Sequence, residues 1–205
     1  MKTIIFDFDG TIADNLSVVI KIYNKIADKY RTNKVAKEEI QVYRSMKPFD
    51  ILRKLKITAF KLPFIAGTIR KQMKSQITDI PIFANISDIL KQLKDKGYNL
   101  GILSSNSVQN IKIFLDHYQI DFFNYIFSCK NIFGKHKSLT KFIKNYNLKN
   151  ADVIYIGDEI RDIDASRKVG VKIISACWGY NDKDSLCTEN PESFAEKPAD
   201  LLKFF

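Results

Sequence analysis

Cysteine is scarce in this chain: three among 205 residues, at Cys129, Cys177 and Cys187. An odd count at scattered positions argues against a disulfide framework and against a thiolate zinc site. Long apolar runs are missing as well, and none reaches the roughly 18 residues a membrane span needs. Met1-Lys2-Thr3 leads into a short apolar stretch and then acidic residues, without a signal-peptide layout, so a cytoplasmic location is expected. There is no internal repeat and no low-complexity tract. The two histidines, His117 and His136, read as surface or partly packed residues rather than ligands.

What is present suffices for a core. Hydrophobic residues make up 45% of the chain, aromatics 12% and charged residues 27%, which excludes a disordered polymer. The length fits one medium domain, or a core domain with a small insertion. The balance of 33 Lys+Arg against 23 Asp+Glu gives +10 and suggests an anionic partner of unspecified kind.

Periodicity predicts a buried strand over residues 3–8 and an amphipathic helix over Leu16–Tyr30. Helical patterns continue to about Gln76, with breaks expected near Pro48 and Pro63. From residue 87 onward strands and helices alternate. Strands are predicted at 98–103, 125–128, 153–156 and 172–175; helices at 87–96, 108–117, 137–146 and 162–169, and Gly97 suits the stop of the first. The tail reads as loop, with a short helix at 198–204. This rhythm predicts an α/β fold, a doubly wound parallel sheet with helices on both faces. The all-helical stretch breaks it and reads as an insertion, dividing the chain into a core (1–14 and 81–205) and a helical subdomain (15–80).

Ligands of open parallel sheets bind beyond the carboxyl ends of the strands. Beyond the first strand lie Asp7, Asp9, Gly10 and Thr11; beyond the second, Ser104, Ser105 and Asn106; beyond the fourth, Gly157, Asp158, Glu159 and then Asp162. Taken singly, these are ordinary turn, helix-dipole and capping residues. Together, converging carboxylates repel unless a cation sits among them, and oxygen-only ligands favour Mg²⁺ over zinc. The hydroxyls and N–H groups around Ser104 form an anion cradle. Mg²⁺ beside such a cradle suits phosphoryl transfer. Asp7 and Asp9, two apart on one strand, point the same way.

These residues resemble the haloacid dehalogenase superfamily. Asp7-Phe8-Asp9-Gly10-Thr11 looks like its DxDGT signature, the strand ending in Ser104 like its second motif, Lys135 like its third, and Gly157–Asp162 like its fourth, GDxxxD. The helical insertion is similar to the family's small cap. The tail with Trp178-Gly179-Tyr180 is similar to phosphoglycolate-phosphatase-like members. The resemblance implies that Asp7 attacks phosphorus and that Asp9 protonates the leaving oxygen and then activates water. Mg²⁺ would be held by Asp7, the Asp9 carbonyl and Asp158. Ser104, with Ser105, Asn106 and nearby N–H groups, would bind the phosphoryl oxygens, Thr11 would set the first turn, and Lys135 would offset charge. Asp162 would orient Lys135 or a metal-bound water; Glu159 supports the metal shell or only starts a helix. The family often carries Pro after its lysine, whereas His136 stands here, which keeps Lys137 as a rival among the nearby Lys130 and Lys141.

The expected activity is hydrolysis of a small phosphorylated metabolite by a monomer or dimer, because a closing cap restricts bulk. Three rivals stand beside it. A dehalogenase typically lacks the second aspartate, so Asp9 argues against it. A phosphomutase would share every motif. A polyanion-binding module would use the basic segment, and the full set of carboxylates makes nucleic acid the lesser expectation. Residues 15–80 hold 15 Lys+Arg and 5 Asp+Glu, while the remainder holds 18 of each. All of the net charge therefore lies in the insertion, where Arg44 and Lys47, at a break between helices, are candidate substrate contacts. If this field steers anionic substrate to the site, kcat/KM for a phosphoester falls as ionic strength rises; a salt-independent kcat/KM would exclude steering.

Overall fold

The computed structural model describes residues 2–129, 134–190 and 193–205. Lys130 lies outside them. Six parallel strands form one sheet in the order β3-β2-β1-β4-β5-β6. They are β1 (Thr3–Phe6), β2 (Asn99–Ser104), β3 (Tyr125–Ser128), β4 (Val153–Gly157), β5 (Lys172–Ala176) and β6 (Phe194–Ala195). The order reverses beside β1, so β1 and β4 flank the switch point of a doubly wound sheet.

β1 is central and fully buried, which is why its sequence is a continuous apolar run rather than an alternating one. Its side chains still alternate between faces: Ile4 and Phe6 join the larger apolar cluster, while Ile5 joins the one beneath α7 (Lys135–Asn145). Helices α5 (Ile86–Asp95) and α6 (Val108–His117) cover the first face through Ile89, Leu90, Leu93, Ile111 and Phe114. On the second, Phe142 is fully buried against Tyr125 and Phe127. Phe6 pairs in register with both Ile102 and Ile156. The residues that follow these three strands therefore reach the same edge of the sheet.

Between β1 and α5 the chain is helical: α1 (Leu16–Tyr30), α2 (Ile40–Arg44), α3 (Pro48–Lys54) and α4 (Lys61–Met73). These pack around their own cluster of Tyr23, Ile26, Ala27, Val35, Tyr43, Leu55 and Ile65. The segment leaves and rejoins the core side by side, since Ala13 bridges Ile82 and the Asp14 N–H donates to the Pro81 carbonyl at 2.8 Å. Pro48 opens α3, where a missing N–H costs nothing. The break expected at Pro63 falls earlier: Lys56 turns left-handed (φ 57°), and Pro63 sits in the first turn of α4, whose N–H groups need no helical partner.

Other differences are at ends. β1 stops at Phe6, although the Asp7 N–H still donates to the Ile156 carbonyl at 2.8 Å. α7 begins at Lys135, not 137, and α8 (Ile160–Val169) starts two residues before 162. The tail expected to be loop also contains α9 (Lys183–Glu189) and the two-residue β6, which pairs with Ser175 and Ala176.

Candidate active site

Asp7, Asp158 and Asp162 are all buried, and one ligand atom from each lies within 4.8 Å of the others. Three folding decisions bring them together. Register sets Asp7 one residue past β1 and Asp158 one past β4. Asp162 is the N3 residue of α8, and its carboxylate caps the Glu159 N–H at 3.1 Å. Glycines supply the room. A Cβ on Gly10 (φ 81°) would lie 2.1 Å from Asp158 Oδ2, one on Gly179 2.3 Å from the same atom, and one on Gly157 2.5 Å from Asp162 Oδ2.

Lys135 reaches this cluster from the first turn of α7. It is 4% exposed and pairs with both Asp7 and Asp162, whereas Lys137 is exposed two residues on. Burial pulls its ammonium toward neutrality, but Asp162 and Asp7 more than reverse that, holding it well above the ordinary lysine range. Burial pushes the Asp7 carboxyl up to about 7 against the pull of Lys135. Asp158 is raised well above the carboxylate range by burial, then by Glu159 and Asp7. It accepts from the Thr11 hydroxyl at 2.6 Å and the Tyr180 N–H at 2.7 Å, and among the described residues it has no ion pair. A buried all-oxygen cluster in which Asp7 and Asp158 resist ionisation fits a divalent cation, which would favour their charged forms. Asp7 and Asp158 suit it best, because Asp162 is already engaged by Lys135 and by its cap.

Asp9 stands apart from that cluster. Its carboxylate accepts from the Asn15 amide, from the Asn106 amide at 2.9 Å and from the Ser104 hydroxyl at 3.1 Å. Ser104 in turn accepts from the Asn106 N–H at 3.0 Å, while Ser107, not Ser104, caps α6. Asp9, Ser105 and Asn106 line a cleft of about 220 Å³ with Arg70, Arg161 and Tyr180. Arg70, from α4, donates to the Ser105 carbonyl at 3.3 Å. Glu159 lines the cleft too and is paired with Arg161, whose Nε donates to it at 2.8 Å.

Arg44 and Lys47 do not join the carboxylates. Arg44 donates to the Gly179 carbonyl at 2.9 Å and the Tyr180 carbonyl at 3.3 Å, tying α2 to the loop that holds Asp158. Lys47 pairs with Glu189 at 2.7 Å on the surface. Sequence reasoning missed Asn15, Arg70, Arg161 and the cap made by Asn181, which accepts from the Ile160 N–H at 3.0 Å. Arg161 lies inside the 157–162 motif and Asn15 only six residues beyond Asp9, so local sequence held a signal for both; Arg70 and Asn181 come from elements that only tertiary packing brings close.

Fold and site together define a doubly wound α/β protein with a buried acidic centre at its switch point. Residues 4–176 match the family model of haloacid dehalogenase-like hydrolases, and the chain belongs to that family. A phosphoglycolate phosphatase of Synechococcus elongatus is 32% identical over 204 residues, spanning 99% of this chain and 96% of its own. A pyrophosphatase of Bacillus mycoides is 22% identical, spanning 98% and 95%. The structure of a predicted phosphatase of Clostridium acetobutylicum superimposes with a TM-score of 0.83 at 19% identity, covering 99% of this chain and 97% of its own.

Gly179→Ala tests the glycine constraint. The added Cβ would also meet the Gly10 carbonyl at 2.4 Å, so backbone must move. Stability in urea is expected to fall by about 1–3 kcal/mol. Unchanged unfolding would show that the loop has slack the geometry does not reveal.

Proposed function

We propose that this chain is a Mg²⁺-dependent phosphomonoester hydrolase acting on a small phosphorylated metabolite, with residues 15–80 as its cap. The observation that carries the reading is the buried Asp7, paired with Lys135 and adjoining Asp158 at the mouth of a parallel sheet. The 32% identity to a phosphoglycolate phosphatase supports the chemistry. Relatives bearing different substrate names leave the metabolite undecided. No helix among the described residues is long and apolar enough to cross a membrane.

Asp7 attacks phosphorus through a carboxylate oxygen, and the bond from phosphorus to the ester oxygen breaks. Asp9 gives its proton to that oxygen, releasing the alcohol and leaving phospho-Asp7. Asp9 then takes a proton from water, which attacks the same phosphorus and frees phosphate and Asp7. Asn15 and Asn106 hold the Asp9 carboxylate in place for both transfers. Ser104 turns its proton to a phosphoryl oxygen, beside the backbone of Ser105 and Asn106, and Thr11 keeps Asp158 oriented. Lys135 offsets the charge between Asp7 and the phosphoryl group, and Asp162 positions Lys135. Mg²⁺, held by Asp7, Asp158 and the Asp9 carbonyl, would neutralise charge on the transferring group.

Asp7→Asn is expected to lower Mg²⁺-dependent hydrolysis of p-nitrophenyl phosphate by about ten-thousandfold or more. Free phosphate should equal the alcohol released by the native enzyme; a shortfall would mark a phosphotransferase. Persistent activity in the purified variant would remove Asp7 from the mechanism.

Mg²⁺ binding should also depend on pH. With the Asp7 carboxyl near 7 and Asp158 raised as well, protons compete with the metal, so apparent affinity falls as pH drops, by up to about tenfold per unit for each carboxyl that titrates in the range. Titration calorimetry from pH 6 to 8 reads this directly, and constant affinity would contradict a raised Asp7.

A further inference from the structure

A second cavity, of about 270 Å³, lies between the helical segment and the loop at Tyr180 and Asn181; most of its lining is aliphatic, Ile20, Ile40, Ile51 and Leu62 among it. Protein interiors rarely keep voids larger than a water molecule, and a dry apolar cavity of about 150 Å³ already takes a benzene ring. This one is larger. It abuts the cleft at Asp9, because Val19, Ala66, Ile69, Glu159 and Tyr180 line both.

The charged and amide groups on its wall are engaged. Arg44 donates to the Gly179 and Tyr180 carbonyls. Asn181 donates to the Arg44 carbonyl at 2.8 Å, and Glu159 is paired with Arg161. The Tyr23 and Tyr180 hydroxyls are engaged too, by the Asn33 carbonyl at 2.6 Å and by Asn15 at 2.9 Å, so most of the polar groups on the described wall are committed to the protein itself. The cations of the cleft, Arg70 and Arg161, lie on the phosphate side of the shared residues.

We infer that the cavity receives the apolar alcohol portion of the substrate, so that the enzyme prefers phosphates of hydrophobic alcohols to those of short hydroxy acids. The inference rests on the phosphomonoesterase reading and adds a substrate class to it. The phosphoryl group occupies the cleft, and the carbon chain crosses between Val19 and Ile69 into the aliphatic interior. Phosphoglycolate would fill the cleft and leave the cavity unused.

The test is kcat/KM for ethyl, butyl and hexyl phosphate and for phosphoglycolate, with calorimetric binding of ethyl- and hexylphosphonate, which are not hydrolysed. Burial of each added methylene should raise kcat/KM by up to about fourfold, about 200-fold from ethyl to hexyl if all four are buried. Ile51→Ser and Leu62→Phe, one adding a hydroxyl and one filling space, should bring the hexyl-to-ethyl ratio toward one. Hydrolysis that is flat along the series, or best with phosphoglycolate, overturns the inference and leaves the phosphatase reading standing. Tighter binding of hexyl- than ethylphosphonate without any hydrolysis supports the cavity and removes the phosphatase reading instead. The native protein decides both points even if neither variant folds.

Discussion

The structure depends on one buried ammonium. Lys135 lies between Asp7 and Asp162, and Asp158 adjoins them with no cation of its own among the described residues. Buried charges are costly unless paired, and removing one partner leaves an uncompensated charge that is more costly still. Lys135 therefore ties α7 to the ends of β1 and α8. Its aliphatic stem is enclosed with it, and its ammonium lies 5.3 Å from the centre of the Tyr155 ring. The pairing is incomplete as a neutralising device: burial still pushes Asp7 to about 7 and Asp158 well above the carboxylate range. Such a deficit at the switch point fits the divalent cation proposed for it.

The loop from Trp178 to Asn181 links this centre to the helical segment. Its Tyr180 N–H holds Asp158, and its Asn181 carboxamide both caps α8 and donates to the Arg44 carbonyl. Its Gly179 and Tyr180 carbonyls receive the Arg44 guanidinium. The Trp178 indole donates to the Thr11 carbonyl at 3.1 Å, and the Tyr180 hydroxyl to Asn15, which in turn donates to Asp9. One short stretch thus contacts Asp158 and the helical segment, and reaches Asp9 through Asn15. Arg44, anticipated as a substrate contact, gives two of its donors to these carbonyls and also lines the apolar cavity.

Charge and apolar surface are divided within the helical segment. Its lysines and arginines lie largely on the solvent side, where Lys34, Lys54 and Arg53 pair with nearby carboxylates. Its inner face is aliphatic. A basic exterior with an apolar interior would suit the proposed cap, attracting an anion over distance and accepting carbon at close range.

Much of this was legible in the sequence because its signals are local. The apolar run before Asp7, the spacing of Leu16–Tyr30 and the alternation after residue 87 report burial and period, and these decide element type. The Asp7-to-Thr11 and Gly157-to-Asp162 spacings carry the carboxylates, with Gly10 allowing the left-handed turn after β1 and Gly157 leaving room for Asp162. Tertiary structure decided what no spacing encodes. It selected Lys135 over Lys137, because only the residue at the start of α7 is turned inward. It placed Asn15 and Asn106 on Asp9, directed Arg44 to backbone carbonyls, and made the two-residue β6 a strand through its pairing with β5. Apart from Asn15, six residues from Asp9, these are contacts between segments far apart in sequence, chosen by which groups had to be satisfied once the chain was packed.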